Sequence, residues 1–249
     1  MKATLEIQNQ TISIDLNNPY DLSFPLRGSS RNPLAWYLDP PTIQPVETAD
    51  WVGSVQKGAS VNFNSIWFNP HAHGTHTECV GHITPENHSV YTTLRRYFFT
   101  AELISVASET HGDDQVISKK QIQTLLGDKK PEALVIRTMP NTVSKKQVRY
   151  DHTNWPYLEE AAAHYLRELG VLHLLVDMPS VDKEKDEGAL LAHKAFWNYP
   201  EAPRMEATIT ELIFANNRVP DGSYILELQT APFMNDATPS RPLLYKILE

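Results

Sequence analysis

Short alternating and continuous apolar runs, separated by stretches rich in Pro, Asn and Asp, divide the chain into its predicted elements. Near the N-terminus "TLEIQ" and "TISIDL" alternate like half-buried strands, with Asn9-Gln10 as the turn between them. Residues 17–56 read mostly as loop and carry Trp36, Tyr37 and Trp51; loops are where binding residues concentrate. Residues 98–106 predict a strand. Ser118 with Gln121 three positions on is a capping-box pattern, so a helix opens there. The run "EALVIRT" over 132–138 is that of a buried strand. "NWPYLEEAAAHYLRELG" predicts a helix that begins at Pro156 and stops at Gly170. Its Leu158, Ala162, Tyr165, Leu166 and Leu169 share one face. "VLHLLVD" follows as a second buried strand ending at Asp177, which gives a strand–helix–strand unit. "ATITELIF" and "SYILELQT" add further strands. The pattern implies an α/β fold, a single domain over residues 1–249 with a mixed β-sheet and packed helices.

Composition narrows the partners. The 249 residues carry a formal charge of −8, which argues against nucleic acid or an anionic membrane surface, since both need clustered Lys and Arg. One cysteine cannot form an internal disulfide. No apolar run approaches the roughly 20 residues of a membrane helix, and the first residues lack the apolar core of a signal peptide. A reducing, cytoplasmic setting is the expectation, with a small molecule left open as the partner.

The chemistry concentrates between Phe68 and His88, in "FNPHAHGTHTECVGHITPENH". This stretch holds five of the ten histidines, the one cysteine and two glutamates. His71, His76, Glu78 and His82 form the informative set, because neutral imidazole and carboxylate suit divalent ions such as zinc or manganese. His76 and Glu78 are two apart and would share one face of a strand. His82 is in phase with them on an ideal strand. Pro70 and Gly74 imply a bent loop that brings His71 to the same ion. A solvated histidine-rich loop is the competing reading, and chemistry alone leaves both open. The spacing is not H-E-x-x-H, so a zinc-protease mechanism is not indicated. Cys79 as a nucleophile with a histidine base competes with the plainer reading of an inert buried thiol.

"HGTHTECVGH" resembles the motif H-x-G-[TA]-H-x-D-x-P-x-H of the cyclase-family metal hydrolases, which include bacterial kynurenine formamidase and isatin hydrolase. Gly74, Thr75, His76 and His82 match at the same relative spacing. "RTMPN" at Arg137, the Asp177-x-Pro179-Ser180-Val181-Asp182 loop, "LLAHKAF" at His193 and the segment from Glu211 to "TPSR" at Arg241 resemble further family segments in order. The first family histidine falls on Ala72 by strict spacing. Pro70-His71 resembles the family's Pro-His there, which places the ligand at His71, with His73 the competing choice. The family aspartate is Glu78 here, one methylene longer, and the Ala-Pro after it is Cys79-Val80.

The resemblance implies a swivelling β/β/α fold with one or two divalent ions, zinc or manganese, among His71, His76, Glu78, His193 and Glu211. The metal would lower the pKa of a bound water and polarise a carbonyl, with His82 as general base and then acid. The implied reaction is hydrolysis of an amide, formamide or cyclic amide C–N bond, as in an arylformamidase. A lactone- or ester-cleaving hydrolase on the same site, and a non-catalytic metal- or ligand-binding protein, are the alternatives. Trp36, Tyr37 and Trp51 are candidates to line an aromatic substrate pocket. Asp177 and Asp182 read as structural. The resemblance also implies a homodimer.

Overall fold

The computed structural model describes residues 1–7 and 10–248. The alternating N-terminal segments form an antiparallel hairpin, β1 (Lys2–Ile7) and β2 (Gln10–Asp15). Asn9 of the expected turn lies outside the described residues, and Gln10 opens β2. Residues 17–56 are largely loop, interrupted by β3 (Tyr20–Asp21) and β4 (Thr42–Pro45). β5 (Asn64–Trp67) pairs with β4. The histidine-rich stretch folds as the four-residue helix α1 (Pro70–His73) and β6 (His76–Cys79), and the four-residue helix α2 (Val90–Thr93) follows it. After it come β7 (Phe98–Ala107), β8 (Glu109–His111), β9 (Asp114–Ile117) and α3 (Lys119–Leu126). β10 (Ala133–Met139), β11 (Tyr157–Leu158), α4 (Glu160–Leu169), β12 (His173–Val176) and α5 (Leu191–Trp197) form the middle of the fold. β13 (Thr208–Glu211), β14 (Gly222–Thr230) and β15 (Ala237–Leu248) complete it.

Seven strands close into a mixed barrel. β7, β10, β12 and β13 are parallel neighbours. β13 then pairs antiparallel with β6, β6 with β15, β15 with β14, and β14 with β7. The long β15 makes closure possible. Its residues 237–239 serve β6 and its residues 240–246 serve β14. Closure leaves these strands without a free edge.

Strand alternation sorts the core into two layers. One cluster takes Phe99, Leu103, Val135, Leu175, Leu226 and Leu244 and fills the barrel. The other takes Ile104, Ile136, Val176 and Ile209 together with Ile122, Leu166 and Phe196 of the helices, and lies between the barrel wall and the helical layer. This is the mixed-sheet α/β architecture expected from the sequence. Among the described residues, no helix is long and apolar enough to cross a membrane.

Local signals hold at most boundaries. The Ser118–Gln121 capping box forms in full. Gly170 ends α4 in the left-handed conformation at φ 91°, with Val171 N–H donating to the Leu166 carbonyl. The start of α4 differs from the expectation. Leu158 N–H donates to the Val181 carbonyl and Glu159 N–H to the Ile117 carbonyl, so Tyr157 and Leu158 join β9 as β11. Tertiary hydrogen bonds there outweigh the helical pattern, and Pro156 precedes the helix rather than opening it.

His173, on β12, is 3% exposed. Its Nδ1 lies 2.8 Å from Thr208 Oγ1, and its ring centroid is 4.0 Å from that of Phe99. Burial, with the charges of Arg96 and Arg204 nearby, pushes its pKa down to about 3. In the unfolded chain it titrates near 6.5. As pH falls below that value, the unfolded state takes up a proton that the native state refuses. Stability therefore falls with pH between about 6.5 and 3, by up to about 1.4 kcal/mol per pH unit. Urea unfolding of His173→Gln should show a smaller loss of stability between pH 6.5 and pH 4.5 than the parent protein; equal losses would count against a neutral His173.

Candidate metal centre

Four elements converge outside the barrel wall, beneath α5. Asn69 caps α1 by accepting a hydrogen bond from His71 N–H at 2.9 Å, and Pro70 occupies the first turn. This turn aims His71 and His73 in different directions. His71 faces the acid of β6, with Nδ1 3.1 Å from Glu78 Oε2. His73 packs beside Trp67, at a centroid distance of 5.6 Å, and accepts from Asn69 N–H through Nδ1 at 2.8 Å. Of the two competing positions, the structure brings His71 into the cluster and turns His73 away. Ala72 is fully buried and offers no ligand atom.

His76 and Glu78 lie on one face of β6, as the two-residue spacing predicts. The antiparallel register sets Glu211, the last residue of β13, opposite His76, and Ile209 opposite Glu78. Ile209 belongs to the outer cluster, so these side chains lie on the outer face of the wall. His76 Nε2 is 3.4 Å from Glu211 Oε2, and His76 Nδ1 is 2.9 Å from the Gly74 carbonyl oxygen. Glu211 Oε1 accepts from Val181 N–H at 3.0 Å.

α5 contributes His193, which sits between two acids. Its Nδ1 is 2.5 Å from Asp182 Oδ2 and its Nε2 is 3.0 Å from Glu78 Oε1. Asp182 also accepts the backbone N–H groups of Ala192 and His193. The same carboxylate therefore starts the helix and orients the imidazole. Asp177 plays a part remote from the cluster, accepting from Thr138 and from Lys145 Nζ at 2.7 Å.

His82 does not reach the site by strand phase. β6 stops at Cys79, and a 3-10 turn, Val80–His82, carries the imidazole round. Gly81 is the tight point, because a Cβ there would collide with the His88 carbonyl. His82 Nε2 comes to 3.9 Å from Glu78 Oε2, with 31% of the side chain still exposed. His88 contributes backbone only to this turn. The Cys79 thiol points into the barrel cluster, and burial raises its pKa, which is opposite to what a nucleophile needs.

His76, Glu78, His193 and Glu211 are all buried. Burial alone would push Glu78 up, but the imidazoles of His82, His193 and His71 hold it well below the usual carboxylate range. Burial pulls His71 down, and its contacts with Asp236 and Glu78 more than reverse this, to about 10. His193 is likewise raised well above an ordinary histidine by Asp182 and Glu78. The acids demand positive charge at this spot. A divalent cation supplies that charge while displacing protons from the imidazoles.

Two buried atoms fit such an ion. His76 Nε2 and Glu78 Oε2 make no hydrogen bond of good geometry, only the close approaches of Glu211 Oε2 at 3.4 Å and His71 Nδ1 at 3.1 Å, although buried polar atoms are nearly always satisfied. His71, His76 and Glu78, and separately Glu78, His82 and His193, bring ligand-type atoms within 4.8 Å of one another. The nitrogen–oxygen donor set suits a divalent metal.

A cleft of about 320 Å³ opens onto this cluster, lined by Trp36, Leu38, Leu190, His71, His82 and Glu211 among others. Trp36 thus stands at the site, its ring edge-on to Trp155 at 5.3 Å. Tyr37 does not join it. Its hydroxyl donates to Glu184 at 2.6 Å and its N–H to Asp151 at 2.8 Å. These bonds anchor the loop, in which Trp36 and Tyr37 both take positive φ, 63° and 60°. Trp51 packs on Phe63, at a centroid distance of 6.1 Å, and is not among the cleft residues. One residue escaped the sequence reading: Asp236, just before β15, contacts both His71 and His82.

Residues 20–183 match the family model described as Cyclase, putative cyclase. No curated protein matches the sequence. Among solved structures, a potential metal-dependent hydrolase with cyclase activity is similar at a TM-score of 0.65 and 19% identity, over 92% of this chain and 97% of that one. A predicted metal-dependent hydrolase from Bacillus stearothermophilus gives 0.63 and 18%, over 92% and 98%. An isatin hydrolase bound to the product analogue thioisatinate gives 0.70 and 15%, over 92% of each chain. These likenesses show a shared fold.

Zinc or manganese added to metal-stripped protein should raise its Tm, since binding to the native state alone stabilises it. Glu78→Ala should abolish that shift and the bound metal found by elemental analysis. Undiminished metal content in this variant would remove Glu78 from the ligand set.

Proposed function

The chain belongs to the putative cyclase family, and from that premise we propose that it is a metal-dependent hydrolase of amide, formamide or cyclic amide C–N bonds, with zinc or manganese as its ion. The observation that carries this reading is the position of His82. It faces the cleft with 31% of its side chain exposed, against 20% for His71, 2% for His193 and none for His76, and its Nε2 is 3.9 Å from the buried Glu78. His71, His76, Glu78, His193 and Glu211 would hold the ion. The ion supplies Lewis acidity, lowering the pKa of a bound water and polarising the carbonyl under attack.

The chain's own residues do the remainder. His82 takes a proton from the attacking water as the new C–O bond forms. It returns that proton to the departing nitrogen as the C–N bond breaks, which balances the hydrolysis. Asp182 holds the His193 ring through Nδ1, which leaves Nε2 free to face the acids. Trp36, Leu38 and Leu190 give the cleft an apolar wall, suited to the flat face of an aromatic or cyclic substrate and to excluding bulk water. Tyr37 serves as the anchor of that wall through Glu184. The isatin hydrolase likeness supports a cyclic amide as the first substrate to try.

The homodimer is proposed as well. Val61, Phe63, Ile66 and Trp67 are each half exposed or more, an apolar strip that an isolated copy would leave in water.

A hydrolysis screen over formamides, lactams and lactones, with bound metal quantified on the same sample, tests the activity. Turnover of amide-type substrates is expected only in metal-loaded protein. His82→Ala should keep its metal and lose roughly 10²–10⁴-fold in kcat; unchanged turnover would sink the proton-carrier role. Preference for lactones would move the substrate class, and stoichiometric metal without turnover would favour a binding protein. Sedimentation equilibrium should return twice the chain mass, and a monomer at micromolar concentration would reject the dimer.

A further inference from the structure

We propose that Asp236 is a positioning residue that sets two histidines at once, the ligand candidate His71 and the proton carrier His82, through one carboxylate oxygen. The role of His82 in this inference rests on the hydrolase reading above; the role of His71 rests only on metal binding.

The geometry is specific. Asp236 Oδ2 lies 3.0 Å from His71 Nε2 and 3.3 Å from His82 Nδ1. Each ring then turns its other nitrogen towards the same atom, Glu78 Oε2, at 3.1 Å for His71 Nδ1 and 3.9 Å for His82 Nε2. The two rings stack at a centroid distance of 4.3 Å with 29° between their planes. A carboxylate can only accept, so once a cation takes the Glu78 side of the rings, Asp236 keeps the protons on His71 Nε2 and His82 Nδ1. The lone pairs left over point into the cluster, one for a metal and one for a proton.

Asp236 is itself held in place by the barrel. Its carbonyl accepts Cys79 N–H at 3.0 Å, and the next residue, Ala237, pairs with Glu78. The register that closes the barrel therefore also sets the carboxylate against the two rings. Asp182 does the equivalent for the single ring of His193. Carboxylates behind ligand histidines are worth about 10–100-fold in metal affinity. Asp236 differs in serving a ligand and a proton carrier together, so one substitution should impair both metal retention and proton transfer.

The test uses Asp236→Asn, His82→Ala and the double variant, with zinc affinity measured by competition with a chromogenic chelator. Asp236→Asn should bind zinc about 10–100-fold more weakly, with a Tm close to the parent in metal-free buffer. His82→Ala should leave zinc affinity unchanged. At zinc concentrations that saturate every variant, Asp236→Asn should lower kcat while sparing KM. In the His82→Ala background it should have no further effect on kcat, because its remaining action runs through that ring. Unchanged zinc affinity in Asp236→Asn, or an additional loss of kcat in the double variant, overturns the proposal. If the parent binds zinc but hydrolyses nothing in the screen, the hydrolase reading fails while the zinc measurement still decides the role of Asp236 behind His71. Should Asp236→Asn not fold, ¹⁵N NMR of the zinc-loaded parent's histidines gives the answer. Protons on His71 Nε2 and His82 Nδ1 are expected, and the opposite tautomers refute the assignment.

Discussion

A carboxylate with no exposed surface, Glu78, sits where α1, β6 and α5 meet. A buried negative charge is tolerated only when paired and hydrogen-bonded. The architecture near the site can be read as the means of supplying that pairing. α1 brings His71, the turn after β6 brings His82, and α5 brings His193. β13 then adds Glu211, and the approach to β15 adds Asp236. Glu211 and Asp236 cannot neutralise Glu78; as further acids they raise the demand for positive charge. An arrangement that stacks acids around a buried acid makes poor sense for stability alone, because a buried charge left uncompensated is strongly destabilising. It makes sense for holding a cation.

The placement of the cluster follows from the period of the strands. Cys79 points into the barrel, while His76 and Glu78 point out of it, and the same alternation separates Thr210 from Glu211. Thr77 and Thr210 meet on the other side of the wall, with hydroxyls 2.8 Å apart, so the two strands are tied without spending the site's own donors. The barrel interior holds the apolar cluster together with these two threonines and the His173 ring on Phe99. The chemistry sits in the layer between wall and helices, where α5 and the Trp36 loop can be changed without repacking the barrel. Rigid strands and a helix hold the ligand candidates, and a loop in a costly backbone conformation holds the apolar wall. Positive φ at two consecutive aromatic residues is sparsely populated. The bonds from Tyr37 to Asp151 and Glu184 offset that cost and tie the loop to distant parts of the chain.

Much of this was legible in the sequence because the relevant rules are local. The spacing of His76 and Glu78 carries through to one strand face, and Ser118 caps its helix. The rest depended on contacts that local pattern cannot express. Pro156 and Leu158 suit a helix, yet the N–H groups that follow are taken by Val181 and Ile117. His82 has the right number in the strand count for the wrong reason, since a turn at Gly81 carries it. His193 and Glu211 entered through family resemblance rather than through spacing. Asp236 had no local signal at all. The Asn235-Asp236 pair looks like turn chemistry, and only the pairing of β15 with β6, across more than half the chain, sets Asp236 beside His71 and His82.

Two departures from the family motif meet at one contact. The first histidine stands at 71 where strict spacing gives Ala72, and the acid at 78 is a glutamate where the family has aspartate. The atoms concerned, His71 Nδ1 and Glu78 Oε2, are 3.1 Å apart. Moving one residue along a helical turn rotates a side chain by about 100°, and Ala72 is fully buried. A ring that enters from the adjoining position needs an acid that reaches it. Withdrawing the carboxylate by one carbon–carbon bond, about 1.5 Å, would pull the oxygen away from that ring. The longer acid and the displaced histidine are therefore best understood as one change rather than two. The nitrogen–carboxylate pair at the heart of the motif is kept, and it is reached by a different path through the backbone.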